Sequence, residues 1–487
     1  MQARQPQVVA VGGGKGGVGK SLLAANLGIF LATLNKKVIV VDLSLGAPNL
    51  HLFCGVPRPT RSLAEALIPG GAPLAELAVS TPVTGMRLIG GAADPAWVAD
   101  LDLVAAQEIL VAVRELPCDW VVLDLAGGMS AVVLEFFLGA DVGVVAAVPD
   151  PTSVELMHRF LGAAFQHRLR QHGLGELADR HSAPRGGIVG PLEIYLDAVE
   201  QDEPHLAHLR GAILGFAPQL VINSARSKHD MELGRAITSV GHRRLGVPIG
   251  YLGHLEYDEA VWASTRRRRP LLVEHPEARI TKCIEKVTRN LLAVRPPHLT
   301  GELLPSDSHY DLLEVAPTAS FEDIRRANRR IRDVYGAESI AIAGLYDPAS
   351  LEAVHRRLDL AYTTLMDAAK RKEYDSELYP RASRCRPRRR RPRSRSIRRC
   401  ASSARPRSRC GRRCRSWDRE PSTAGRCCGR SARPPASSCA SCRSARRSAW
   451  ATWPRSRPNT GPSCRRRSMS AASWSSTPAS SACRRCA

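Results

Sequence analysis

Nine residues near the start of the chain have the types and spacing needed to hold a phosphate chain. Gly13-Gly14-Lys15-Gly16-Gly17-Val18-Gly19-Lys20-Ser21 follows the apolar run Val8-Val9-Ala10-Val11 and opens the helical pattern Ser21 to Leu34. Glycines let successive backbone amides converge on phosphate oxygens, and the N-terminus of the following helix adds partial positive charge. Lys20 then reaches the outer phosphates and the Ser21 hydroxyl ligates Mg²⁺. The expected ligand is a nucleoside triphosphate, contacted by Gly14, Lys15, Gly16, Gly17, Val18, Gly19, Lys20 and Ser21. Asp124 ends a separate apolar run, Trp120 to Leu125, as a carboxylate that organises Mg²⁺ should.

A loop of this kind needs a strand before it, a helix after it and neighbouring strands to carry the acids. Apolar runs at Lys37–Leu43, Trp120–Leu125, Val142–Val148, Leu220–Asn223 and Val247–Leu252 supply those strands, with helical patterns between them. Continuous apolar strands separated by helices predict an α/β fold, a P-loop NTPase whose mostly parallel sheet is covered by helices on both faces. The stretch from about 165 to 213 reads as a helical insertion. Arg295-Pro296-Pro297 and Pro305 mark a linker, which places an ATPase-type domain at 1–300, a small all-α module at 308–378 and a tail at 381–487.

Charge separates the tail from the rest. The chain of 487 residues carries a net +24, yet residues 381–487 hold 31 Arg against only Asp418 and Glu420, and the preceding 380 residues are net −5. A basic surface for a nucleic-acid partner is therefore not expected on the main body. Eleven of the 14 cysteines also lie in the tail. Cys54, Cys118 and Cys283 are too few and scattered for a disulfide framework, so a cytoplasmic protein is expected. No basic-then-apolar leader and no apolar run long enough to span a bilayer are read from the sequence.

Lys15 narrows the class. Lys-Gly-Gly-Val-Gly-Lys-Ser resembles the deviant P-loop of the MinD/ParA family of dimeric ATPases, over roughly residues 7–295. The resemblance implies ATP and Mg²⁺ as cofactors and a homodimer formed on ATP binding, with Lys15 contacting the nucleotide of the facing subunit. Val40-Val41-Asp42-Leu43-Ser44 through His51 is similar to the family's first switch, Asp124-Leu125-Ala126-Gly127-Gly128 to its second, and Pro149-Asp150-Pro151-Thr152-Ser153-Val154 to a Glu-Pro-Thr-Ser segment. The implied catalytic residues are Lys15, Lys20, Asp42 and Asp124, the implied metal ligands Ser21, Asp42 and Asp124, and Asn223 is implied to face adenine. Pro48-Asn49-Leu50-His51 looks most like regulators of flagellar number and division placement. One departure stands out. The family's first switch usually reads Asp-x-Asp, and here the second position is Ser44. Serine polarises water less than a carboxylate does, which implies slow or lost turnover unless Asp42 or Asp124 compensates or the family's slow rate tolerates the change.

MinD-like proteins often dock on membranes through a C-terminal amphipathic helix. Ile280 to Leu292 has that pattern, with Lys282, Lys286 and Arg289 opposite the apolar stripe. Peripheral attachment at an inner membrane is one expectation, and ordinary packing of the stripe on the sheet is the stronger one.

The 308–378 module resembles a J-domain at His309-Tyr310-Asp311-Leu312-Leu313-Glu314-Val315 and again at Leu360-Ala361-Tyr362 through Tyr374-Asp375. Its loop, Arg332 to Glu338, lacks the His-Pro-Asp through which J-proteins act. A docking or dimerisation module that engages a protein partner is expected instead of a co-chaperone.

Residues 381–487 contain no Leu, Val, Phe, Tyr, Lys, His or Gln and are expected to be disordered. An Arg-rich tail can bind nucleic acid non-specifically, and Cys439/Cys442 and Cys483/Cys486 have zinc-like spacing without any His. The composition fits better with G+C-rich codons translated out of frame. Shifted by one base, Thr460 to Trp474 can be rewritten to resemble the helix-turn-helix region of RodZ-like adaptor proteins. The gene's nucleotide sequence decides between these accounts.

The leading functional expectation is a nucleotide-switched ATPase that positions flagellar, cell-division or envelope cargo. An ATP-binding adaptor with little hydrolysis comes second. A cobyrinate-type amidating enzyme ranks last, since nothing resembles a glutamine-handling domain, and the −5 balance of residues 1–380 argues against a DNA-partitioning ATPase.

Overall fold

The computed structural model describes residues 5–91, 94–181, 188–295 and 308–379. The linker prolines and the tail expectations lie outside the described residues. Eight strands form one sheet: β1 (Gln7–Gly12), β2 (Val38–Leu43), β3 (Val79–Ser80), β4 (Met86–Ile89), β5 (Trp120–Leu125), β6 (Val142–Ala147), β7 (Gln219–Ala225) and β8 (Gly250–Glu256). Their order is β3-β4-β2-β5-β1-β6-β7-β8. Every pairing is parallel except β3 with β4. The expected fold class is what the structure has.

Alternation along each strand builds two cores. Val8, Ala10, Ile39, Val41, Val121 and Leu123 face one way, and Val9, Val11, Val38, Val40 and Val122 the other. Because both faces are covered, strands such as β2 and β5 are buried at every residue, which is why they read as unbroken apolar runs. On one face lie α1 (Lys20–Thr33) and, later in the chain, the helix Arg279–Ala293. On the other lie α2 (Leu103–Arg114), α3 (Ala131–Leu138), α4 (Pro151–Gln171) and α5 (Lys228–Val240). The helix Arg279–Ala293, hereafter α6, buries Ile280, Ile284, Val287 and Leu291. That stripe is spent on β8 and α1 and is not presented to a membrane. Among the described residues no helix is long and apolar enough to cross a bilayer.

Two strand expectations shift. β3 and β4 escape notice because they are two and four residues long. The last strand starts at Gly250, not Val247, because Val247 and Ile249 are buried among the helices of the α2–α5 face. Residues 165–213, expected to be a helical insertion, continue α4 and add short helices at Gly175–Arg180, Pro191–Glu200 and Leu206–Leu214.

The module after the linker is helical: α7 (Phe321–Val334), α8 (Pro348–Met366) and α9 (Ala368–Leu378). Ser320 and Asp323 form a capping box that starts α7, and Asp347 caps α8 just ahead of Pro348, so both helices begin where their sequences supply a side-chain acceptor. Tyr310, Leu313, Ile331, Leu358 and Leu365 belong to the same apolar core as α4 and α5. In the stretch Arg332 to Glu338, Tyr335 is buried edge-on against Tyr346.

His158 of α4, fully buried, is the polar pin of this seat. Its Nδ1 lies 3.2 Å from the Ala343 carbonyl and therefore carries the proton. Burial depresses the imidazole to a pKa of about 4, with the Ala343 carbonyl and then Glu155 pulling upward. The unfolded chain, with a His pKa near roughly 6.5, then binds more protons than the folded one between the two values, so stability rises with pH across that window. Acidifying from about pH 7 to about pH 5 is expected to loosen the module. Faster amide exchange in Ile340–Tyr346 and in α4 would report it, and His158→Gln should flatten the dependence. Exchange indifferent to pH in the wild type, beyond its chemical rate, would contradict the assignment.

Candidate nucleotide site

The glycine loop leaves β1 and ends at α1, beside the C-terminal ends of β5 and β2. Gly19 sits at φ 91°, and a Cβ there would lie 2.2 Å from the Asn223 amide nitrogen. Only glycine combines that backbone with that close approach. A Cβ on Gly14 would meet the Leu156 carbonyl of α4 at 2.3 Å. Above Gly16 nothing lies within 4 Å of a built Cβ, so the loop is pressed against protein beneath and open on its outer side, a cradle for an anionic chain.

Asn223, on β7, donates from Nδ2 to the Val18 carbonyl at 2.8 Å and accepts from the Ser224 amide at 2.8 Å. It thus fastens the last turn of the loop to a strand on the far side of β6. One amide N–H and one lone pair remain for a base.

Lys20 is buried, and its Nζ donates to the Lys15 carbonyl at 3.1 Å. Burial lowers the ammonium pKa and the charge of Asp124 opposes the shift. Asp124 and Asp42 are register partners on adjacent parallel strands, so their carboxylates stand side by side at the strand ends. Their exposures are 0% and 1%. Burial, reinforced at Asp124 by the charge of Asp42 and at Asp42 by that of Asp94, pushes Asp124 up to about 8 and Asp42 up to about 7. The Ser21 hydroxyl and Lys20 pull Asp124 the other way.

The two acids are not equivalent. Asp42 accepts from the Ser44 amide at 3.2 Å and the Leu50 amide at 2.9 Å, so it folds the Ser44–Leu50 loop around itself. Neither Asp124 oxygen has a well-formed hydrogen bond among the described residues. Two buried acids with two such oxygens, beside a hydroxyl and an ammonium, fit a hard dication brought with a triphosphate. Ser21, Asp42 and Asp124 are the residues that would hold it.

Ser44 is half-buried, and its Oγ points back to the Ala47 carbonyl at 3.4 Å. Gly127 comes so close that a Cβ there would sit 3.0 Å from the Gly16 amide, and the Gly128 amide donates to Gly13. The segment after β5 therefore touches the glycine loop directly.

Lys15, a third exposed, is paired with Asp150, Nζ to Oδ2 at 2.9 Å and to Oδ1 at 3.1 Å. Asp150 also caps α4 by accepting from the Ser153 amide, and its carboxyl lies below the usual range despite partial desolvation because of Lys15 and those amides. In the sequence Asp150 is legible only as part of Pro149–Val154, and its partnership with Lys15 is not. The signal available was an Asp directly before Pro151, the signature of a helix cap.

A glycine cradle on a parallel sheet, with a buried lysine and two buried acids at the strand ends, defines a P-loop nucleotide-binding protein. Residues 9–345 match the model of the CobQ/CobB/MinD/ParA nucleotide binding domain. The chain belongs to that family, among its MinD/ParA-type P-loop ATPases. It is 24% identical over 288 residues to the antiactivator FleN of Pseudomonas aeruginosa, covering 58% of this chain and 86% of that one. It is 26% identical over 219 residues to the septum site-determining protein MinD of Bacillus subtilis, covering 41% and 81%. Among solved structures, MinD of Pyrococcus horikoshii with Mg-ADP aligns at 19% identity and a TM-score of 0.42, covering 59% of this chain and 97% of that one.

Proposed function

We propose that the protein is an ATP-switched, dimer-forming ATPase that serves as a spatial cue for flagellar, division-site or envelope cargo. The observation that carries this reading is Lys15. Its ammonium sits in the loop paired with Asp150, both side chains about a third exposed. A pair this exposed is worth about 0–1 kcal/mol, so an incoming polyphosphate on a second copy can take Lys15 from Asp150 at little cost. Kinship with a septum site-determining protein and an antiactivator supports a positioning or regulatory output.

In this reading Lys20 neutralises the outer phosphates, while Ser21, Asp42 and Asp124 would hold the magnesium that accompanies ATP. Bound Mg²⁺ offsets charge on the phosphates. Asp42 orders the first switch through the Ser44 and Leu50 amides, and Asn223 uses its remaining amide valences on the base. The 308–378 module, seated on α4 and α5, offers its outer helix faces to a protein partner. Attachment to an inner membrane, if it occurs, does not use the buried stripe of α6.

A second reading, an ATP-binding adaptor with little hydrolysis, is favoured by Ser44. Its hydroxyl is turned into its own loop and offers no carboxylate to an attacking water.

One experiment separates these readings in the full chain. Light scattering with and without Mg-ATP is expected to show a monomer becoming a dimer, and Lys15→Ala to bind ATP within about threefold of wild type yet stay monomeric. Ser44→Asp is expected to raise turnover by about tenfold or more. A Lys15→Ala protein that still dimerises with ATP would overturn the assignment of Lys15. A Ser44→Asp protein as slow as wild type would remove Ser44 as the cause of slow turnover.

A further inference from the structure

At the far edge of the sheet, four strands from β5, is a cluster the nucleotide chemistry does not use. Among the described residues β8 is the edge strand of the sheet, and α6 packs over it. His254 and Glu256, two residues apart on β8, and Cys283 of α6 place an imidazole nitrogen, a carboxylate oxygen and a sulfur within 4.8 Å of one another. Cys283 Sγ stands 4.0 Å from Glu256 Oε1, at the outer limit of a contact, and the His254 imidazole stands beside both while its backbone pairs with Ile222 of β7. All three are partly exposed, leaving room for water. Lys286 is the nearby cation and Asp258 a further acid.

We propose that His254, Glu256 and Cys283 bind a zinc ion, with water completing a tetrahedron and the ion clamping α6 to the edge strand. A mixed nitrogen, sulfur and oxygen set suits a borderline-soft ion and not Mg²⁺ or Ca²⁺, which take oxygen ligands. The donors come from two elements already packed together, so zinc has little chain entropy to overcome and only side-chain rotation is required.

The test is alkylation of the full chain by iodoacetamide, read peptide by peptide by mass spectrometry, with zinc in excess over all 14 cysteines. Zinc is expected to slow modification of Cys283 by about tenfold or more and to leave Cys118 unchanged. His254→Ala and Glu256→Gln, both at partly exposed positions, are each expected to restore the rate. Equal rates with and without zinc would overturn the proposal, as would protection that persists in both variants, which would mean a thiol acting alone. If Cys283 reacts too slowly for a difference to register, cobalt(II) replaces zinc. The visible tetrahedral band of wild type minus Cys283→Ser is then the readout, and a flat difference spectrum overturns the proposal.

Discussion

Asp124→Asn is expected to cut ATP turnover by a factor on the order of 10² to 10³ and, in the same protein without nucleotide, to raise the melting temperature. The two effects share one cause. Asp124 is buried beside Asp42, with no well-formed hydrogen bond on either oxygen. That arrangement is unfavourable until a cation arrives and useful once it does, a trade between stability and activity common at functional sites. Asparagine keeps the shape and removes the charge. The pH dependence follows with a definite sign. Folded-state values of about 8 for Asp124 and about 7 for Asp42 lie above an unfolded carboxylate value of roughly 4. The folded state therefore binds more protons between those values, and the nucleotide-free protein loses stability as pH rises through that range. His158 works in the opposite direction only below about 6.5, so melting curves between about pH 6.5 and pH 8 isolate the carboxylate pair. Asp124→Asn should flatten that slope. A variant that melts lower than wild type with an unchanged slope would show that Asp124 is compensated in the free protein.

Lys20→Ala is expected to weaken ATP binding by about a hundredfold, the cost of removing one partner of a buried charge pair. Lys20 is buried, its Nζ is held at the Lys15 carbonyl, and it is the ammonium that faces Asp124. Its loss withdraws the positive charge meant for the phosphates and leaves Asp124 less compensated. Both effects oppose an anionic ligand. Calorimetric titration with Mg-ATP measures it, and affinity equal to wild type would remove the glycine loop as the nucleotide site. Paired with Lys15→Ala, whose expected loss is dimerisation and not binding, it separates the two lysines of the loop by role.

Much of the site can be read in the chain because its central part is contiguous. Gly13 to Ser21 carries its own conformational requirements, and the strand before and helix after are marked by unbroken apolar runs. Other features are invisible at that range. Lys15 and Asp150 are 135 residues apart, and the packing of α4 against the sheet brings its start beside the loop. Val18 and Asn223 are 205 apart, and the residue expected to face a base is the one that fastens the loop.

The amino-acid sequence by itself determined the fold class, the position of the phosphate loop and the helical nature of residues 308–378. Each of these rests on local backbone preference and on hydrophobic period, both of which act over a few residues. Tertiary structure alone decided three further things. It set Asp42 and Asp124 in register on neighbouring strands, which makes two ordinary acids a poised pair. It merged the module with the core beneath α4 and α5, turning His158 into a buried pin. And it brought His254 and Glu256 under Cys283. These depend on which strands pair and which helices pack, and that choice is made by burial summed over the whole chain, which no single window of sequence contains.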